Sequence, residues 1–234
     1  MIDLRFGWLA ILAGTGCGSL ISSDVTDFDL TLPDKQFTVD TSGWQVMSGV
    51  LPTYLMTTCT SNPTICNTAA QQACESGCAG ECDTGKHTCD LDLQVSLFQP
   101  INLVMEKPEL KTINDEPVIK VTIDSLTYEV TGNTLNVPTP PLTLFVAPMS
   151  VMDPTNGMAA SVGTVPAITA GMTTTGPQDI AYTPEGKANL VTIMSTYATP
   201  FNVIVGGTLQ LVDGDPEPTG KLDAVVHITA HAGL

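Results

Sequence analysis

Beyond Arg5 the chain contains no arginine, and seven lysines are its only other strong cations. Guanidinium forks suit bidentate phosphate recognition, and nucleic-acid binding needs a basic face that releases counterions. The balance runs the other way, with 24 acidic residues against 8 basic ones, a net charge of -16 and a pI near 4.1. Nucleic acid is therefore excluded as a partner. Charge of either sign is sparse at 14% of residues, and mean hydropathy is mildly apolar at +0.21. That combination belongs to a packed globule, not to a disordered acidic tail. Aromatic residues make up 5%, and Trp44 is the one tryptophan besides Trp8, which leaves little to stack against sugars. There is no Gly-x-Ser-x-Gly elbow, no P-loop, no cofactor motif and no pattern around the three histidines that suggests a triad. The apolar run Phe6 to Ala13 has eight residues, well short of the ~20 that span a bilayer.

What that run does have is context. Arg5 precedes it, and the small residues Gly14, Thr15 and Gly16 lead from it to Cys17, as a secretory signal leads to a cleavage site. Residues 1–17 resemble a bacterial lipoprotein signal, although Gly14 stands where that family usually has Leu and Asp3 offsets Arg5. The resemblance implies a signal peptide over 1–16, lipidation of Cys17 and a tether over 17–25. With Gly18 rather than Asp after the cysteine, it also implies sorting to the outer membrane. The remaining domain is expected to be soluble and monomeric.

Six further cysteines, Cys59, Cys66, Cys74, Cys78, Cys82 and Cys89, crowd into residues 59–89. An even, dense set in an exported chain reads as a disulfide framework. Zinc is the competing reading, but the segment lacks a Cys-x-x-Cys knuckle and has only His87 as a nearby imidazole. If Cys74, Cys78 and Cys82 sit on successive helical turns, their Cβ atoms are ~5–6 Å apart, too far to bond one another. Each is then expected to pair with Cys59, Cys66 or Cys89.

Elsewhere period-2 alternation dominates. Phe28, Leu30 and Leu32 alternate with Asp27, Asp29 and Thr31, and Phe37 and Val39 resume after Pro33-Asp34-Lys35, as strands joined by a turn. Leu91, Leu93, Val95 and Leu97 alternate with Asp92, Gln94 and Ser96. Ile119, Val121 and Ile123 slip phase at Asp124-Ser125 before Leu126, Tyr128 and Val130, which predicts a β-bulge. Further strands are expected around Leu142–Val146, Phe201–Leu211 and Leu222–Ile228, with Asp213 to Gly220 as a hairpin loop between the last two. One helix is predicted after Thr183-Pro184, carrying Leu190, Val191, Met194 and Tyr197, and a shorter one around Thr68 to Ser76. The expected fold is mainly β: one antiparallel β-sandwich over 26–234, with one or two short helices and 59–89 as a disulfide-stapled insertion lying on the body. Residues 119–234, with Gly220-Lys221-Leu222 before the last strand, resemble the β-sandwich domains of the late-embryogenesis-abundant and water-stress type. The whole chain, rich in Thr, resembles the cysteine-bearing lipoproteins of myxobacteria, most of which have no assigned activity.

Few residues suggest chemistry. Asp83-Thr84-Gly85 spells the aspartic-protease triplet but lies between Cys82 and Lys86 with no second copy, so a solvent turn is expected. Asp223, His227 and His231 have the spacing of helical metal ligands, yet their neighbours are strand formers, and residues four apart on a strand lie ~13 Å apart. Asp213, Asp215 and Glu217 offer three carboxylates in five residues, a candidate calcium loop that is also ordinary turn composition. Asp24, Asp27 and Asp29 read as the wet face of a strand. Salt is expected to relieve the acidic self-repulsion generically, with divalent ions acting beyond ionic strength only where an oxygen cage exists. The favoured function is a lipid-anchored, non-enzymatic envelope protein that binds or scaffolds an envelope protein or glycan. The alternatives are a hydrolase with an unrecognised site and a calcium-assisted adhesin or glycan-binding module.

Overall fold

The computed structural model describes residues 28–47, 49–60, 63–113 and 120–233. Cys17, the signal and tether segments, Asp24 and Asp27 lie outside them. Two antiparallel sheets are present. One contains β1 (Phe28–Asp29), β2 (Lys35–Asp40), β5 (Lys120–Asn133), β8 (Gln178–Asp179) and β11 (Lys221–Gly233). The other contains β3 (Cys78–Asp83), β4 (Thr88–Ile101), β6 (Leu142–Pro148), β7 (Ala160–Val165), β9 (Ala181–Tyr182) and β10 (Phe201–Leu211). Their orders are β1-β11-β5-β8, with β2 also on β11, and β3-β4-β10-β6-β7-β9. Alternate residues of both sheets, such as Val39, Leu222 and Val226 on one and Val95, Leu144 and Val205 on the other, enter a single buried cluster. Burying each such side chain is worth roughly 1.5–3 kcal/mol, which makes the sandwich the dominant source of stability.

The phase slip at Asp124 is a bulge: Thr229 faces Ser125 and Ala230 faces Ile123, so Asp124 is the extra residue. One expectation about connections fails. The Asp213–Gly220 segment joins different sheets, because β10 is already flanked by β4 and β6 while β11 lies between β2 and β5. The first two strands do not pair with each other. Both run along β11, with Leu30 and Leu32 donating to the Ala230 and Ile228 carbonyls between them, so they are one edge interrupted near Pro33.

Four α-helices occur among the described residues: α1 (Leu51–Leu55), α2 (Pro63–Ala73), α3 (Leu103–Glu106) and α4 (Pro184–Ser195). The two that periodicity does not reveal, α1 and α3, are single turns. Pro52 sits in the first turn of α1, and the Asn102 side chain caps α3 at Met105 N. α2 starts and ends earlier than its Ala and Gln content predicts, since Cys66, Ala70 and Ala73 form its buried stripe. α4 matches its start signals, since Thr183 Oγ1 accepts from Gly186 N at 3.0 Å and Leu190 and Met194 are buried, but it ends at Ser195, before Tyr197.

All six cysteines of residues 59–89 are paired, but not as the helical spacing predicts. Cys59–Cys82 agrees, whereas Cys66–Cys89 and Cys74–Cys78 do not. The cause is that the three later cysteines share no helix. α2 ends at Ala73, Cys78 and Cys82 lie on β3, and Gly77 at φ 67° turns the chain back so that Cys78 comes within 6.5 Å of Cys74, Cα to Cα. The segment also does more than lie on the body. β3 pairs with β4 from Cys78↔Leu93 to Asp83↔Thr88 and forms the edge of the six-stranded sheet. A non-reducing peptide map should recover these three bridges and no other pairing.

α4 meets β7 where a second bulge makes Val162 the extra residue, and a Cβ on Gly186 would collide with the Val162 carbonyl. Alanine is the better helix former by ~0.8–1 kcal/mol, so propensity and packing oppose each other. Packing should win: Gly186→Ala is expected to lower the urea midpoint, at unchanged slope, by the equivalent of about 1–3 kcal/mol. Gly157 is the control, because a methyl added there would meet nothing within 4 Å; Gly157→Ala should stay within about 0.5 kcal/mol.

Candidate functional site

Side chains of β4 alternate across the six-stranded sheet. Cys89, Leu91, Leu93 and Val95 point into the core, which sends Thr88, Asp90, Asp92 and Gln94 to the outer face. The register of β3 sets Asp83 opposite Thr88, Glu81 opposite Asp90 and Ala79 opposite Asp92, all on that same face. β10 adds Gln210 opposite Asp92. One end of the sheet therefore carries four carboxylates within two strands.

These carboxylates are not equivalent. Asp83 is spent on the hairpin turn, where its Oδ1 accepts from Gly85 N at 2.7 Å and Lys86 N at 3.2 Å. The Asp83-Thr84-Gly85 triplet is thus the turn that its context predicts. Asp90 is only 5% exposed. Its Oδ1, together with Asp92 Oδ1 and Thr88 Oγ1, is buried without a hydrogen-bond partner. Burial holds the Asp90 carboxyl above its ordinary pKa, the negative charges of Asp83, Asp92 and Glu81 add to this, and Lys86 opposes it. Asp92 is raised by burial and then by Glu81, with a hydrogen bond from Gln210 working the other way. Beneath the strand, the Tyr54 hydroxyl donates to the Asp90 carbonyl at 2.8 Å. Its phenol is also pushed upward, by burial first and then by the charges of Asp90 and Asp92.

The residues whose sequence spacing suggests chemistry lie elsewhere. The loop of Asp213, Asp215 and Glu217 offers no calcium cage: Asp213 and Asp215 are exposed, and Asp215 Oδ2 accepts from Val212 N at 2.9 Å as part of the turn. His227 and His231 lie on strand β11, as expected, and each finds its own carboxylate: Nδ1 of His227 is 2.7 Å from Asp34, and Nδ1 of His231 is 2.9 Å from Asp124. Such pairs are two members of a triad, but His227 Nε2 is buried with no hydrogen-bond partner, so no nucleophile reaches it. Among the described residues, the sulfurs of Cys59, Cys66 and Cys89 form the one trio of His, Cys, Asp or Glu donors within 4.8 Å of one another. They are held in the Cys59–Cys82 and Cys66–Cys89 bridges and supply no thiolate for zinc. Trp44 is buried and donates to the Gln94 carbonyl, so it offers no platform for a sugar.

Two of the cavities among the described residues compare poorly with this face. A void of about 30 Å³ between the sheets has a wholly apolar lining that includes Phe37, Tyr128 and Ile168. It holds no polar partner for a water or a ligand. An open cleft of about 460 Å³ lies beside α3, walled by Pro100, Met105, Met149 and Pro200. Its acid, Glu106, is committed to Lys35 at 2.6 Å. No protein-family model, curated protein or solved structure matches this chain.

The signal for the outer face is present in the sequence as Asp90 and Asp92 between inward-facing Cys89, Leu91 and Leu93. Acid on the polar side of a strand ordinarily means a wetted face, and only burial distinguishes this one. The native state keeps the Asp90 and Asp92 protons to higher pH than the unfolded chain does. Their stability contribution is therefore fullest below the ordinary carboxyl pKa of 3.8 and is lost as pH rises through the native value. In chelator at pH 7, Asp90→Asn should melt above the unsubstituted chain, and the gain should shrink as pH falls toward 3.8 and below. A lower melting temperature at pH 7 would mean that the carboxylate is held by a protein group.

Proposed function

We propose that the chain is a lipid-anchored, non-enzymatic protein of the bacterial cell envelope, whose acidic β-sandwich binds or scaffolds a component at the outer membrane. The observation that carries this reading is the cysteine balance: the six cysteines of 59–89 are paired with one another, which leaves Cys17 as the odd thiol. Disulfides persist in oxidising compartments, so the stapled segment is consistent with export. Cys17 follows an apolar run and three small residues, the arrangement in which a lipoprotein signal places its acylated cysteine. No described helix is long and apolar enough to cross a membrane, and acyl chains supply another form of attachment. Each buried CH₂ contributes ~0.8 kcal/mol, so several chains hold where one is marginal. The His227–Asp34 pair supports no hydrolase reading, because the other ring nitrogen of His227 is buried without a partner.

The test is Cys17→Ser expressed in a bacterial host. Fatty-acid labelling should disappear and unprocessed precursor should accumulate, while a chain beginning at Ser19 should be monomeric without detergent. Labelling that survives the substitution, or a mature N-terminus anywhere other than Cys17, would overturn the anchor.

A further inference from the structure

An acidic protein with a buried, unpartnered carboxylate on its surface sheet bears a standing electrostatic cost. Asp90 has that character: it is 5% exposed, its Oδ1 has no partner, and the nearest strand places Glu81, another acid, directly across from it. Asp92 and Thr88, two residues away on either side, each present one more buried oxygen without a partner on the same face. The lysines answer this charge only in part: Lys86 on the hairpin turn draws the Asp90 pKa down but forms no ion pair with it. Lys35, Lys107 and Lys221 pair with Glu106, Asp29 and Asp223, and Lys187 donates to the Ile123 carbonyl. A second copy of the pattern does not exist at the exposed Asp213 loop, where the carboxylate of Asp215 is satisfied by backbone.

We propose that the outer face of the β3–β4 hairpin is a calcium site, with Asp90 and Asp92 as its anionic ligands and Glu81 completing it from the neighbouring strand. Calcium accepts six to eight oxygens at ~2.3–2.6 Å in variable geometry, whereas magnesium demands a near-ideal octahedron. The variable geometry suits this face. Its carboxylates stand too far apart to form a trio within 4.8 Å, as like charges without a counterion do, and Asp90 and Asp92 lie two residues apart on one face of a strand, ~7 Å along it. Coordination requires side-chain rotation that brings these oxygens together, with water in the remaining positions. A site with three carboxylates and no rigid loop belongs in the weaker range, with half-saturation at about 0.1–1 mM. This inference is independent of the lipid anchor.

The experiment is a thermal melt of the full-length chain in chelator, in CaCl₂, and in NaCl of matched ionic strength, for the unsubstituted protein and for Asp90→Asn, Asp92→Asn and the double variant Asp213→Asn/Asp215→Asn. About 10 mM calcium should raise the unsubstituted Tm by about 3–10 °C over the sodium control. Asp90→Asn and Asp92→Asn should lose most of that rise, and the loop double variant should keep it. Magnesium at the same concentration should give less than half the calcium shift. Calorimetric titration of CaCl₂ should show one site in the unsubstituted chain and none in Asp90→Asn. No rise over sodium would overturn the proposal in favour of generic screening. A rise kept by Asp90→Asn and lost in the loop variant would overturn it in favour of the Asp213–Glu217 loop.

Discussion

The pair of disulfides that ties α1 and α2 to the edge of the six-stranded sheet sets the terms for the rest of the surface. Residues 59–89 have too few large apolar side chains to hold themselves in place by burial. Cys59–Cys82 and Cys66–Cys89 fasten them by linking the segment to both strands of the β3–β4 hairpin. Each closes a sequence separation of 23 residues, for which the loss of unfolded-state freedom contributes on the order of 3 kcal/mol. The approach is close: a Cβ on Gly80 would run into the Cys66 carbonyl and the Tyr54 hydroxyl. Covalent fastening here replaces the hydrophobic face that the segment lacks, and it holds β3 against β4 in the register that gathers the acids.

That register sets two of the described acids apart from the rest. Several acids among the described residues are answered locally, by a turn N–H as at Asp83, by a threonine as at Asp223, or by lysine as at Glu106. Asp90 and Asp92 have neither solvent on all sides nor a cationic partner, and burial raises both. An isolated buried carboxylate in an already negative protein is destabilising unless protonated or coordinated. Four of the seven lysines are engaged elsewhere, and Lys86 on the hairpin turn offsets the burial of Asp90 without an ion pair.

The same sandwich explains why the histidines do not assemble into a site. A strand separates His227 from His231 by four residues along one face, and each meets the carboxylate that its own neighbourhood supplies. Asp34 comes from the interruption before β2, and Asp124 from the bulge in β5. The bulge is thus both a geometric device and the source of a partner, since the extra residue it inserts is the one that reaches His231.

Local patterning was enough to determine the β class, the alternation that fills the core, the bulge at Asp124, the capped helix after Thr183 and the oxidised state of the cysteine cluster. Each of these depends on neighbours within a few residues, where period and capping chemistry act. Tertiary structure alone decided the sheet change across 212–220, the continuation of β2 from β1 along a shared partner, and the pairings Cys66–Cys89 and Cys74–Cys78. It also decided that Asp90 is buried and Asp92 half-buried while Asp213 and Asp215 remain in water. Those outcomes turn on which strand lies beside which and what rests above it. Carboxylates with the same sequence signature differ in energy because solvent access is a property of the packed sheets, not of the chain.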